Sequence, residues 1–450
     1  MKQNDFTKGS VKRAIIAQAV PLTVAQLVQL LYNVVDRIYL GHMGNGDNLA
    51  LTGVGLTFPI VTLISGFAAL FGTGAVPLFS IEQGRGNDER AKRILGNSFA
   101  LIAVSSIALT FVGYLFSEPI LVAFGAGEDS LVYAKDYLEV YLIGTFFSMV
   151  GGGLAGFINA QGFPKIGMLS VVIGALANIA LDPIFIFVLD MGVRGAAIAT
   201  VISQILSALW ILAFLFGRRV QVSLSIDSIR INGKITADIS KLGAANFIMS
   251  GTTCIVQAVS NRTLQTFGGD LYVGVMTVMN SVREIFTLPV NGIVSGSQPV
   301  ISYNFGAKRY DRVRQGIKFN TIVGASYTAV AWILILLFPK FWVGIFSDDP
   351  ATIAKGAEML TIYFFGFVFM AFQFAGQSTF QALGMSGHAI FFSLLRKVII
   401  VLPLTLILPR VGLGAPGVFV AEPISNFIGG LASFLTMRLG VYRKLGKNTD

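Results

Sequence analysis

The run Leu176-Ala177-Asn178-Ile179-Ala180-Leu181-Asp182-Pro183-Ile184-Phe185-Ile186-Phe187 decides how the chain must be read. It is apolar enough for a membrane helix, yet it carries a carboxylate. An ionised Asp at bilayer depth costs about 2.5 kcal/mol or more, so such a residue marks a functional site once a partner can be named. Asn178 lies four residues before Asp182, on the same helical face.

Composition agrees with a membrane setting. The chain has 450 residues, of which 54% are apolar and 12% charged, with a mean hydropathy of +0.73. Soluble domains carry about 25% charged residues, so this is an integral membrane protein. Apolar windows of about 20 residues recur along the whole chain, with breaks too short for an aqueous domain. The first span has no small-residue cleavage site behind a short apolar core and is read as a retained helix. Cys254 is the single cysteine, which excludes an internal disulfide and any Cys-based metal cage. A net charge of +10 reports topology here rather than a nucleic-acid partner.

Twelve spans are expected, at about 14–40, 49–78, 94–117, 130–160, 165–189, 194–216, 239–267, 271–301, 315–338, 352–382, 388–409 and 414–438. Lys and Arg gather on one side, in the groups Arg85-Arg90-Lys92-Arg93, Arg218-Arg219-Arg230-Lys234-Lys241, Lys308-Arg309-Arg312-Arg314-Lys318 and Arg438-Arg443-Lys444-Lys447. The positive-inside rule then places both termini in the cytoplasm of a multi-pass protein of the cell (inner) membrane. The acids Asp47, Glu118, Glu128, Asp129, Asp190, Asp270, Asp348 and Asp349 fall outside.

The two halves repeat. At an offset of 222 residues Gly74 and Pro77 match Gly296 and Pro299, Ser80 and Gly84 match Ser302 and Gly306, and Leu138, Tyr141 and Gly144 match Leu360, Tyr363 and Gly366. Chance would match Leu and Phe, but not spaced Gly, Pro and Tyr. Because each repeat has an even number of spans, the two run in the same sense through the bilayer, with the substrate site expected at their interface. The expected architecture is an all-α membrane fold of two parallel six-helix repeats: an N-lobe over 1–216, a cytoplasmic linker over 217–238 and a C-lobe over 239–450.

Polar groups inside spans are the candidate site. Asp36 follows Tyr32 by four residues, as Asp182 follows Asn178, and with Thr200 these fall at similar depth by the ~1.5 Å rise per helical residue. Two carboxylates, an amide, a phenol and a hydroxyl suit one small cation or one shared proton. The plainer reading makes Asp182 a helix bridge and pairs Asp36 with Arg37. In the second half Arg262 with Glu284 is expected to form a structural charge pair. Span ten is rich in aromatic residues, and Phe369, Met370, Gln373 and Gln377 are candidates for a substrate cavity that receives lipophilic cations.

Several stretches resemble the multidrug and toxic compound extrusion (MATE) family, in its prokaryotic MepA- and DinF-like branch. They are Leu49 to Pro59, Gly72 to Leu78, Leu288-Pro289-Val290-Asn291-Gly292, Gln298 to Ala307, Asn178 to Pro183 and Gly192 to Ala197. The resemblance covers nearly the whole chain. It implies a V-shaped pair of lobes around a central cavity, exporting amphipathic and often cationic compounds in exchange for H⁺ or Na⁺. The family's N-lobe cation site is built from Tyr, Asp, Asn, Asp and Thr, matched here by Tyr32, Asp36, Asn178, Asp182 and Thr200, with Na⁺ an option at Asp36 and Asp182. Its first-span proline, proposed to bend as the site changes occupancy, corresponds to Pro21. Acids that some branches carry in spans seven and ten are missing, where Thr253, Gln373 and Gln377 lie nearby.

The expected function is therefore cation-coupled multidrug efflux by alternating access, with no cofactor beyond the coupling ion. Expected partners are small organic substrates and the lipid bilayer, with no nucleic acid and a monomeric state. The nearest alternative is a flippase or exporter of lipid-linked saccharides, which would use intramembrane Arg262, Arg283 and Arg396 on phosphates. An enzyme needs a catalytic constellation, and the only histidines are His42 and His388, with no HExxH.

Overall fold

The computed structural model describes residues 3–41, 49–124, 126–347 and 349–447. His42, Asp47 and Asp348, and the side chain of Arg37, lie outside the described parts. Among the described residues the chain is helical throughout, as a lipid-exposed backbone requires, because helices satisfy every N–H and C=O within the segment. The first half holds α1 (Val11–Gly41), α2 (Leu49–Phe71), α3 (Val76–Gly84), α4 (Asp88–Leu115), α5 (Ser117–Ala123), α6 (Glu128–Ile143), α7 (Thr145–Ala160), α8 (Pro164–Pro183) and α9 (Gly192–Leu215). The second holds α10 (Gly233–Gly306), α11 (Tyr310–Leu337), α12 (Pro339–Gly344), α13 (Pro350–Phe364), α14 (Phe367–Ala382), α15 (Ser386–Leu394), α16 (Leu402–Ile407), α17 (Pro416–Thr436) and α18 (Arg443–Lys447).

Among the described residues, nine helical runs are long and apolar enough to cross a membrane, and eleven when each of two bent pairs counts as one crossing. One of the nine, α10, is a 74-residue run whose helical path breaks at Gly269, with φ of 68°. A side chain is strained at that angle, and glycine is not. The run supplies two crossings, so the total is the expected twelve.

The bent pairs show the duplication at atomic level. The helices α6 and α7 meet at 60° around Gly144, and α13 and α14 at 45° around Gly366. A Cβ on Gly144 would come within 2.8 Å of Val201, and one on Gly366 within 2.8 Å of the Pro423 carbonyl. Val201 and Pro423 are themselves 222 positions apart. Each half thus uses a glycine to bring its bent span against the same place on its last helix.

Two compact units emerge, each with its own core. The first comprises residues 3–5 and Val20–Phe247, the second Phe6–Ala19 and everything from Ile248. In the first, Phe79 and Phe157 pack edge to face at 5.1 Å among Ile94, Leu95, Met149 and Leu154. In the second, α17 is central, with Phe419 packed by Tyr363, Phe364 and Phe367. The units part inside helices, not in a loop: α1 passes from one to the other at Ala19, two residues before Pro21, and α10 does so at Phe247.

The segment 217–238, expected as the cytoplasmic linker between the halves, packs on the first unit. Val220, Val222 and Leu224 are buried. The Gln161 side chain donates to the Val222 carbonyl (3.2 Å) and accepts from its N–H (2.9 Å). Asn97 donates to the Arg230 carbonyl at 3.1 Å and accepts from the Thr236 hydroxyl at 3.1 Å. Buried backbone groups must find partners, and these side chains of the first unit supply them. The segment is part of that unit.

Candidate functional site

The first unit contains a polar cavity of about 640 Å³, lined by Tyr32 and Asp36 from α1, Tyr141 from α6, Asn178 from α8, and Thr200 and Gln204 from α9. Asp182 sits one turn beyond Asn178 and is fully buried behind the wall. All five residues expected from sequence are thus brought together from three helices. A small-residue wall makes the room: Gly151, Gly152, Gly174 and Ala175 line the cavity where larger side chains would fill it.

The Asn178 amide is the hub. Its Nδ2 donates to Asp182 Oδ1 at 3.1 Å and lies 3.5 Å from Thr200 Oγ1. The carboxyls of Asp36 and Asp182 lie within hydrogen-bonding and electrostatic reach of each other, and Tyr32 is close enough to feel both. When ionised both carboxylates only accept. Accordingly Asp182 Oδ2 and Asn178 Oδ1 are buried with no donor among the described residues. Two facing carboxyls, with one acceptor oxygen of Asp182 left over, have the chemistry to take up a proton or a hard cation.

Two tyrosines stand at this site, Tyr141 on the cavity wall and Tyr137 one turn before it, and neither was singled out as a site residue in the sequence. Tyr137 and Tyr141 stack on α6 with ring centroids 6.0 Å apart. Tyr137 lies beside Thr200, and Tyr141 lies beside Gln204 and shares a hydrogen bond with Ser148 at 3.2 Å. Their spacing of four residues within one span was the available signal.

In the second unit the expected pairing of Arg262 with Glu284 is not what forms. Both residues are exposed, and no ion pair joins them among the described residues. The carboxylate that gathers charge is Glu422 on α17, which meets Arg283 at 3.3 Å, Arg396 at 3.6 Å and Lys397 at 3.5 Å. Residues 283 and 284 differ by one position, about 100° around a helix, and Arg283 is on the inward side.

The four span-ten candidates do not share one cavity. Gln373 donates to Gln377 at 2.8 Å, and both are buried. Gln377 reaches the Met249 sulfur at 3.4 Å. Met370 belongs to the apolar core. Phe369 faces the other way, edge to face with Phe427 at 4.8 Å, in an aromatic and apolar hollow of about 560 Å³ with Phe365 and Pro423.

Twelve membrane-crossing helices in a duplicated array, with one acid lining a polar cavity and another buried behind its wall, define a polytopic membrane transporter rather than an enzyme. The chain belongs to the MatE family, whose model matches residues 21–184 and again 245–407, once in each half. It is 26% identical over 437 residues to the multidrug export protein MepA of Staphylococcus aureus (strain MRSA252), covering 96% of this chain and 95% of that protein. The MepA protein of Staphylococcus saprophyticus is 24% identical, with coverage of 96% and 95%. Among solved structures, a MATE transporter in the bent conformation superposes with a TM-score of 0.93 at 23% identity, over 100% of both chains. An outward-facing multidrug resistance MATE transporter of the MOP superfamily gives 0.92 at 23% identity, over 99% of both chains.

Proposed function

We propose that this protein exports amphipathic organic compounds, cationic ones among them, in exchange for inward movement of H⁺ or Na⁺. The observation that carries the reading is the pair of carboxyls at the polar cavity of the first unit, Asp36 on its wall and Asp182 buried behind it. The names of the similar proteins, multidrug export proteins, supply the substrate class. A cation entering the cavity neutralises the pair, with Tyr32, Asn178 and Thr200 as further oxygen ligands or orienting groups. The conformation that holds the cation better gains population by the ratio of its affinities, and that ratio bounds the work available for moving substrate. Pro21 adjoins the point where α1 leaves one unit for the other, which makes it the position of choice for a bend. The protein works as a monomer in the cytoplasmic membrane, and its Lys and Arg distribution supports an orientation with both termini inside.

A flippase reading would need basic groups free to hold phosphates. Arg283 and Arg396 flank Glu422, the cavity that Arg283 lines is about 30 Å³ and too small for a phosphate, and Arg262 is exposed elsewhere, so no observation favours it.

The test is substrate efflux from proteoliposomes under separately imposed Na⁺ and pH gradients, with Asp36→Asn and Asp182→Asn beside the unaltered protein. Coupled export in the unaltered protein and its loss in both variants is expected. Full gradient-driven efflux in both variants would sink the reading.

A further inference from the structure

The second unit holds a polar chamber of its own, and its charge is the reverse of that in the first. At the 222-residue spacing, Val61, Tyr141 and Thr200 of the first cavity correspond to Arg283, Tyr363 and Glu422. Those three line a small cavity of about 30 Å³ together with Lys397 and Thr405. Duplication has kept the place and changed the chemistry.

The charge count is unbalanced. Arg283, Arg396 and Lys397 surround the single carboxylate of Glu422, with Lys397 and Glu422 each 5% exposed. Guanidiniums stay protonated in proteins, so Arg283 and Arg396 alone outnumber Glu422. Glu284, the other acid that acts on Arg283, is on the exposed side of its helix. Positive charge left over after Glu422 is costly inside a membrane protein, and it calls for an anion.

A second observation points to the same place. Thr405 is 1% exposed, lines this cavity, and its hydroxyl has no hydrogen-bond partner among the described residues. A buried hydroxyl without a partner costs about 1–3 kcal/mol, so a ligand that accepts its proton is favoured. The volume limits what that ligand is: the cavity has room for about two waters or one halide. A sulfate, a phosphate or an organic acid does not fit.

We propose that the second unit carries a binding site for a small monatomic anion of chloride size, held by Arg283, Lys397 and the Thr405 hydroxyl beside Glu422. The site is independent of the cation site and of the coupling mechanism proposed above. Occupancy neutralises the surplus charge and ties α10, α16 and α17 together, so the anion stabilises the folded unit by mass action.

The experiment uses the purified full-length protein in detergent. Its melting temperature is followed in sodium chloride, bromide, gluconate and sulfate at equal Na⁺ concentration. Chloride and bromide are expected to raise it above the gluconate value, with a shift that grows with the logarithm of halide concentration above saturation. Thr405→Val, which keeps every charge, and Lys397→Gln are expected to lose most of that shift, while Arg262→Gln keeps it. A bromide-grown crystal is expected to show anomalous density within hydrogen-bonding distance of Arg283 and Lys397. If Lys397→Gln does not fold, Thr405→Val alone carries the comparison. Equal melting in all four salts, a sulfate effect as large as that of chloride, or an undiminished halide shift in Thr405→Val would overturn the proposal, leaving water as the only occupant.

Discussion

Asn178 holds Asp182 across one turn of α8, its amide donating to the Asp182 carboxylate at 3.1 Å while the other carboxylate oxygen has no donor among the described residues. One fully buried carboxyl is thereby held on one oxygen by a neighbour and left without a donor on the other. Removing the amide leaves both carboxylate oxygens of Asp182 without a donor from α8, at a cost of about 1–3 kcal/mol. Asn178→Ala is expected to lower the melting temperature. Combined with Asp182→Asn, the loss should be smaller than the sum of the single losses, because the amide no longer serves a charge. Additive losses in the double-mutant cycle would show that the two side chains do not act on one another.

Gln161 makes both of its bonds to Val222, and that pair fastens the basic segment 217–238 to the first unit. Gln161→Leu strands a buried N–H and a buried C=O, loosening the segment by about 1–3 kcal/mol. Limited trypsin digestion should then cut at Arg218, Arg219 or Arg230 several-fold faster than in the unaltered protein, since local opening sets the rate. Unchanged cleavage kinetics would mean that the remaining contacts hold the segment unaided.

Gly243 and Gly251 lie on the same helix and differ in what surrounds them. A Cβ on Gly243 would strike the backbone of Leu70, which cannot swing aside, whereas one on Gly251 would meet nothing within 4 Å. Gly243→Ala is expected to destabilise by about 1–3 kcal/mol or more, with reduced yield of folded protein. Gly251→Ala should be neutral or stabilising by about 0.5–1 kcal/mol, the helix-interior preference for Ala. Thermal melts of the two variants in parallel decide it.

Asp349 caps α13, accepting from the hydroxyl and the N–H of Thr352 at 2.6 and 2.9 Å. The Thr352 hydroxyl bond, then the backbone bonds, hold its carboxyl below the usual Asp range. A carboxyl depressed by folding stabilises above its unfolded pKa, and that contribution is lost as pH falls through the folded value. Asp349→Ala should therefore melt lower than the unaltered protein at about pH 7, with the gap closing as pH falls from about 5 toward 2. Asp349→Asn, a good cap without the charge, should lie closer to the unaltered protein at neutral pH. A gap that stays constant across the range would assign the loss to something other than the carboxylate.

The five polar residues of the first cavity were legible because ionisable and amide groups stand out in apolar spans, and their spacing of four placed them on common faces. Tyr137, Tyr141 and Gln204 were not legible as site residues. A neutral phenol or amide within a span is a weaker signal than a carboxylate, and the 60° bend at Gly144 sets the course of the span that carries the two tyrosines. The Arg262 and Glu284 expectation failed for a related reason. Which face of a long span turns inward depends on its neighbours, and a shift of one residue exchanges Arg283 for Glu284.

The membrane class, the twelve crossings and the duplication were fixed by the chain alone, because a bilayer imposes a local rule: each crossing must be apolar, long enough and internally hydrogen-bonded. Tertiary structure decided everything that depends on partners far apart in sequence. It set where the units part, docked residues 217–238 onto the first of them, and gave Glu422 rather than Glu284 to the arginines. The facing of Asp36 and Asp182 also belongs there, because 146 positions separate them and only packing sets the distance between their carboxyls.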